Sequence, residues 1–248
     1  MGGRVSFLVS LTLLASVASI AVSEGPALEK DTLPTSGGDL EVTFVGHGSL
    51  YLGFGGRVIH VDPFGKLADY RTLPKADLVL ITHAHGDHLD ASALAAIRKP
   101  ETRILVASAC EGKVEGATVL RNGETTTLLG VSVEAVPAYN LVHKRPDGTP
   151  FHPKGEGNGY VVTFGKSRVY VAGDTENVPE MLALKGIDVA FLPMNLPYTM
   201  TPEMVADAVR GFRPRILYPY HFGDSDTARL VALLADVQGT EVRIRKMK

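Results

Sequence analysis

Six consecutive residues, His83-Ala84-His85-Gly86-Asp87-His88, hold four side chains able to bind a metal ion. Imidazole and carboxylate together suit zinc, iron or manganese. In an extended segment alternate residues point to one side, so His83 and His85 can grip one ion together. A turn at Gly86 then swings Asp87 and His88 toward a second ion. The chain has a single cysteine, Cys110, which rules out an intramolecular disulfide and a cysteine-ligated structural zinc. Cys110 reads as a small buried hydrophobe.

The elements that must position this cluster follow from the apolar pattern. Directly before it, residues 78–81 (Leu-Val-Leu-Ile) form a continuous apolar run that predicts a buried strand, a rigid support at a sheet edge. Directly after it, Asp90 can cap a helix over 91–99 that Pro100 terminates. Upstream, 40–45, 50–54 and 58–61 predict a meander of antiparallel strands. Downstream, strands are expected over 104–106, 118–120, 125–129 and 131–136, mostly in a second sheet, with Asn122-Gly123 as a hairpin turn. A polar loop over 139–159 is long enough that a place beside the site is expected. Two further strands, 160–164 and 168–172, flank Gly165-Lys166-Ser167. Strand 189–192, helix 202–211, strand 216–218, helix 226–237 and strand 241–244 then alternate. Together these predict an α/β fold, a four-layer αββα sandwich of two sheets between two helical layers.

The run from His83 to His88, behind a hydrophobic strand and Thr82, resembles the His-x-His-x-Asp-His signature of the metallo-β-lactamase superfamily, and the likeness extends over nearly all of the chain beyond its first residues. Gly173-Asp174-Thr175 resembles that family's Gly-Asp-Thr, which implies that Asp174 bridges two metals. His221, in Tyr218-Pro219-Tyr220-His221-Phe222-Gly223, resembles its last ligand. Gly46-His47-Gly48-Ser49 and Val61-Asp62-Pro63-Phe64 look like the opening of the branch that includes ascorbate-phosphate lactonases and N-acyl phospholipid phospholipases. Asn140 stands where the third histidine of the first metal is often found, leaving His143 and His152 as alternatives; Phe151-His152-Pro153-Lys154-Gly155 resembles a motif of this branch and favours His152. The implied ligands are thus His83, His85, Asp87, His88, His152, Asp174 and His221. The implied cofactor is two divalent ions, zinc first, with manganese or iron as alternatives. Aspartate rather than cysteine at position 174 argues against the cysteine-ligated β-lactamases.

Two such ions lower the pKa of a shared water from 15.7 toward about 7, so a bridging hydroxide becomes the expected nucleophile. Asp87 would ligate the second ion and accept a hydrogen bond from that hydroxide, which makes it a catalytic candidate. His47 is the other: it would donate to a substrate oxygen or an outer carboxylate, or else hydrogen-bond a neighbouring loop. Asp62 is expected to orient a ligand or cap a turn, and His60 to be structural. Gly155-x-Gly157-x-Gly159 lacks a following helix and reads as loop flexibility. Lys144, Arg145 and Lys154 can meet an anion or remain solvated. Tyr139, Phe151, Tyr198 and Tyr220 are candidates for an aromatic wall, and 194–200 for a substrate-side loop.

The 248 residues are 45% hydrophobic and 21% charged, with a net charge of −2, which suits one globular domain and gives no reason to expect nucleic acid as partner. Arg4 followed by a 16-residue apolar run at 5–20, then Ala21-Val22-Ser23, predicts a signal peptide over 1–23. The aperiodic Pro, Gly and Ser of 24–38 predict a flexible linker, and the domain is expected over 39–248. A secreted or periplasmic protein is expected, acting on a small molecule without stable membrane insertion once the signal is cleaved. The leading expectation is hydrolysis of an ester, lactone, amide or phosphodiester. The alternatives are iron-dependent redox chemistry on the same fold, or a catalytically idle metal-binding protein.

Overall fold

The computed structural model describes residues 1–2 and 27–248. Apart from Met1 and Gly2, the expected signal peptide lies outside the described residues. Among those residues, no helix is long and apolar enough to cross a membrane.

Two seven-stranded sheets are each built in chain order. The first holds β1 (Glu29–Thr35), β2 (Gly38–Gly46), β3 (Ser49–Phe54), β4 (Arg57–Val61), β5 (Leu78–Ile81), β6 (Arg103–Val106) and β7 (Thr118–Val119). The second holds β8 (Thr125–Leu128), β9 (Val131–Ala138), β10 (Gly157–Phe164), β11 (Ser167–Val171), β12 (Val189–Pro193), β13 (Ile216–Tyr220) and β14 (Glu241–Val242). In each sheet the first four strands pair antiparallel and the later ones parallel. The carboxyl ends of the parallel strands therefore share one edge of each sheet, where open α/β sheets bind ligands.

Helices supply four of the six crossovers that parallel pairing demands. They are α1 (Ala91–Ile97) after β5, α2 (Pro179–Leu182) after β11, α3 (Pro202–Phe212) after β12 and α4 (Thr227–Leu233) after β13. Asp90 caps α1 by accepting from the backbone N–H groups of Ser92 and Ala93. Strand β5 explains its own continuous apolar run. Leu78 and Leu80 face the core between the sheets, while Val79 and Ile81 face a second cluster with Leu94 and Ile97 of α1, so both faces are buried. Cys110 lies buried in that second cluster, where burial pushes its thiol up to about 12 and leaves it inert.

Four expectations are corrected. The linker expected over 24–38 is strand from Glu29 onward: β1 pairs along its whole length with β2, Leu33 opposite Leu40. Its anchor is Asp31, which accepts hydrogen bonds from Arg245, Arg243 and the Tyr218 hydroxyl. Those partners lie near the other end of the chain, so no local pattern announces them. Strands β6 and β7 join the first sheet rather than the second, extending it by parallel pairing from β5. Consequently the Asn122-Gly123 turn carries the chain from one sheet to the other and closes no hairpin. Helix α4 also stops at Leu233, short of the expected 237.

Candidate metal centre

The cluster is assembled at the shared strand edge. Ile81 ends β5, and its carbonyl accepts from the buried Tyr160 hydroxyl at 2.8 Å. The next residue, Thr82, donates its backbone N–H and its hydroxyl to Asp62, at 2.8 and 2.6 Å. Asp62 follows β4, is fully buried, and holds an unusual positive φ of 45°. Its Oδ2 also lies 2.8 Å from Nδ1 of His88. A carboxylate only accepts, so His88 must carry its proton on Nδ1 and turn the lone pair of Nε2 inward. The same logic reaches His83 through Thr82. The hydroxyl spends its proton on Asp62 and accepts from Nδ1 of His83 at 3.0 Å, which again leaves Nε2 unprotonated, its lone pair turned inward 3.0 Å from Nδ1 of His85.

The second sheet brings the remaining donors. Asp174 follows β11, and its buried carboxylate lies among four imidazoles. Oδ2 is 3.3 Å from Nε2 of His152, 3.6 Å from that of His221 and 3.8 Å from that of His83. Oδ1 is 3.6 Å from Nε2 of His88. His221 follows β13 with φ 45°, its backbone N–H donating to the carbonyl of His47 at 2.9 Å. Asp87 Oδ2 lies 3.7 Å from Nε2 of His221 and 3.1 Å from Nε2 of His47. Backbone clearance is part of the design at Gly48, where a Cβ would stand 2.8 Å from Cε1 of His88.

The donors sort into two groups. His83, His85 and His152 converge on one side; Asp87, His88 and His221 converge on the other with His47, and Asp174 lies between. Nε2 of His88, His152 and His221 and Oδ1 of Asp174 are buried with no hydrogen-bond partner among the described residues. Each such atom costs about 1–3 kcal/mol unless something satisfies it. Lone pairs of imidazole and carboxylate aimed at common points fit a pair of divalent cations.

Charge in the pocket is consistent with that fit. Burial, reinforced by the neighbouring His88, holds His83 well below its ordinary pKa and so keeps it neutral, the form that ligates. Burial works against ionising Asp174 and Asp87, yet surrounding imidazoles, His221 foremost, hold both below the usual carboxylate range. His88 is raised to about 9, burial being outweighed by Asp174 and Asp62. A cation at Nε2 would take the place of that proton.

The other expected residues fall in different places. His143 is drawn off to Glu176, its Nδ1 2.7 Å from that carboxylate. His60 packs beside Tyr51 with Nε2 3.0 Å from the Pro74 carbonyl, away from the cluster. Tyr220 is fully buried, and Tyr139 is buried with its hydroxyl donating to Glu180 at 2.9 Å, so neither lines the mouth. Lys154 is engaged by the same Glu180. Phe151 and Tyr198 do meet beside the site, edge to face with centroids 5.1 Å apart, and Arg145 lies over the Phe151 ring. Asn140 and Glu176 carry no functional motif of their own in the sequence. The Asn in place of an expected histidine is the one signal that marks position 140.

A sandwich of two mixed sheets with metal-binding side chains at the strand ends defines the metallo-β-lactamase fold. The sequence pattern of the Beta-lactamase superfamily domain matches residues 41–221, from β2 to the last histidine of the cluster. The chain belongs to this superfamily, among its metal-dependent hydrolases. A UPF0173 metal-dependent hydrolase of Thermococcus kodakarensis is 34% identical over 196 residues, which cover 74% of this chain and 84% of the relative. Among solved structures, a protein of Parabacteroides distasonis described as a metal-dependent hydrolase is 47% identical, with a TM-score of 0.85 over 90% of this chain and 100% of that one. Igni18, a metallo hydrolase of Ignicoccus hospitalis, is 25% identical, with a TM-score of 0.70 over 84% of this chain and 95% of its own.

Proposed function

We propose that the chain hydrolyses an ester, lactone, amide or phosphodiester of a small molecule at a two-zinc centre. The observation that carries this reading is the convergence of unpartnered, buried Nε2 atoms from two donor groups on either side of Asp174. His83, His85 and His152 would hold one ion, Asp87, His88 and His221 the other, with Asp174 between them. When bound, such ions supply a water ionised near neutral pH and positive charge where the substrate oxygen becomes negative. Nitrogen and oxygen donors without a thiolate suit zinc and leave manganese and iron as alternatives.

The residues of the chain then divide the work. Within its own group Asp87 is the ligand open to solvent, with 37% of its side chain exposed against 0% for His88 and 3% for His221, so it faces an incoming substrate and can accept the proton of the attacking water. His47 is held against it and would steer that carboxylate or donate to a substrate oxygen. Leu141, Val142, Leu196 and Tyr198, all exposed, stand on the two loops beside His152 and would meet the non-reacting part of the substrate. The apolar run at 5–20 supports a secreted or periplasmic location.

Metal analysis of the purified protein together with a panel of p-nitrophenyl esters, lactones and bis-p-nitrophenyl phosphate tests the reading. Two zinc ions per chain are expected, with turnover lost to a chelator and restored by zinc. A protein that takes up no metal overturns it. Iron retained without hydrolysis of any panel member overturns it in favour of redox chemistry.

A further inference from the structure

His152 enters the cluster from the loop 139–156 and not from a strand end, so sheet geometry does not hold its ring. Its backbone N–H donates to Asn140 Oδ1 at 2.8 Å, and its Nδ1 lies 2.8 Å from the same oxygen. The Asn140 amide is itself fixed from the other side. Its Nδ2 donates to Glu176 Oε1 at 3.1 Å and to the Tyr198 carbonyl at 2.9 Å. Carboxylate and carbonyl oxygens only accept, so the amide nitrogen must face them and the amide oxygen must face His152. That oxygen only accepts as well. The proton of His152 therefore sits on Nδ1, and Nε2 keeps its lone pair toward Asp174, 3.3 Å away.

Glu176 is rigidly seated at the start of this relay. Its side chain is fully buried and accepts the backbone N–H groups of Leu141, Val142 and His143, each at 2.7 Å. The loop thus folds around one carboxylate, and a single amide passes that carboxylate's polarity to the imidazole. His88 receives the same instruction from Asp62 without an intermediary.

We infer that Asn140 and Glu176 are positioning residues that set the ring orientation and the protonated nitrogen of His152, and so the affinity of the cation site formed with His83 and His85. This rests on the two-cation reading above. Because Asn140 also grips the Tyr198 carbonyl, the relay ties that site to the substrate-side loop.

The test is zinc titration of chelator-stripped protein against a chromophoric competitor, for the wild type and Asn140→Ala. Two tight equivalents are expected in the wild type. In Asn140→Ala one equivalent should keep its affinity and the other weaken by roughly 10- to 100-fold. Equal affinities in the two proteins, or equal weakening at both sites, would overturn the relay while leaving the two-cation centre standing. A wild type that takes up no zinc fells the two-cation reading instead, and the affinity role with it. Should Asn140→Ala fail to fold, cobalt-substituted wild type decides by NMR: a slowly exchanging Nδ1–H of His152 is expected, and ligation through Nδ1 or loss of that proton to fast exchange refutes the assignment.

Discussion

In both sheets the fourth strand ends beside a buried carboxylate at the site, Asp62 after β4 and Asp174 after β11, yet the two do opposite work. Asp62 is surrounded by donors: the N–H and hydroxyl of Thr82 and Nδ1 of His88 occupy it fully. Asp174 has imidazole nitrogens on every side, and its Oδ1 has no hydrogen-bond partner among the described residues. Equivalent places in two similarly ordered sheets thus yield one carboxylate that aims histidines and one free to receive cations. The partners decide the role. The sheets differ also in how they arm the site, since the first delivers four donors in one loop and the second sends His152, Asp174 and His221 from three separate segments.

The sharpest test of this contrast exchanges the two carboxylates' fates. Asp174→Ala should lose both metal ions and lower turnover by about a thousandfold, whereas Asp62→Ala should keep a weakened centre, its metal affinity down by roughly 10- to 100-fold. Inductively coupled plasma analysis and steady-state kinetics measure both, and similar losses in the two variants would dissolve the distinction.

A smaller effect separates two histidines of one loop. His152→Ala should lose one ion of the pair, while His143→Ala should retain both, because His143 is spent on Glu176. Retention of both ions by His152→Ala would break the account of how the second sheet contributes.

The smallest effect tests the first sheet where it carries no chemistry. Burial lowers His60 to about 4, so the folded state keeps it neutral while the unfolded chain takes up a proton near 6.5. The unfolded state then binds more protons between those values, so this stabilisation is complete above about pH 6.5 and declines as pH falls toward 4. Between pH 7.5 and 5.5 wild type should lose about 1 kcal/mol more stability than His60→Gln, read from urea midpoints. Parallel pH profiles for the two proteins would remove His60 from the acid response.

Much of the architecture is legible along the chain. Period-two alternation marks β2 to β4, and unbroken apolar runs mark strands such as β5 that are buried on both faces. Asp90 and Pro100 bracket α1 within two residues of its end. Strand β1 escapes because its alternation is weak, and its stability comes from pairing with β2 and from Arg243 and Arg245 closing on Asp31. The assignment of β6 and β7 to a sheet escapes for a related reason: parallel partners are joined by long connections that leave no local trace.

The sequence by itself determined that residue types able to bind metal are gathered and where the first half of that cluster lies, because His83 to His88 are ordered by bonds along one short segment whose geometry is local. Glycine and aspartate at 173–174 and histidine at 221 were recognisable by likeness to known motifs. Only the tertiary structure decided which histidine of the long loop enters the cluster, and that Asn140 stands behind it. His143 and His152 are alike as residues and neighbours in sequence. Their roles part when the loop folds about Glu176, a carboxylate over twenty residues further along, whose buried charge draws in the backbone N–H groups of residues 141–143 and one imidazole, and turns the other toward Asp174.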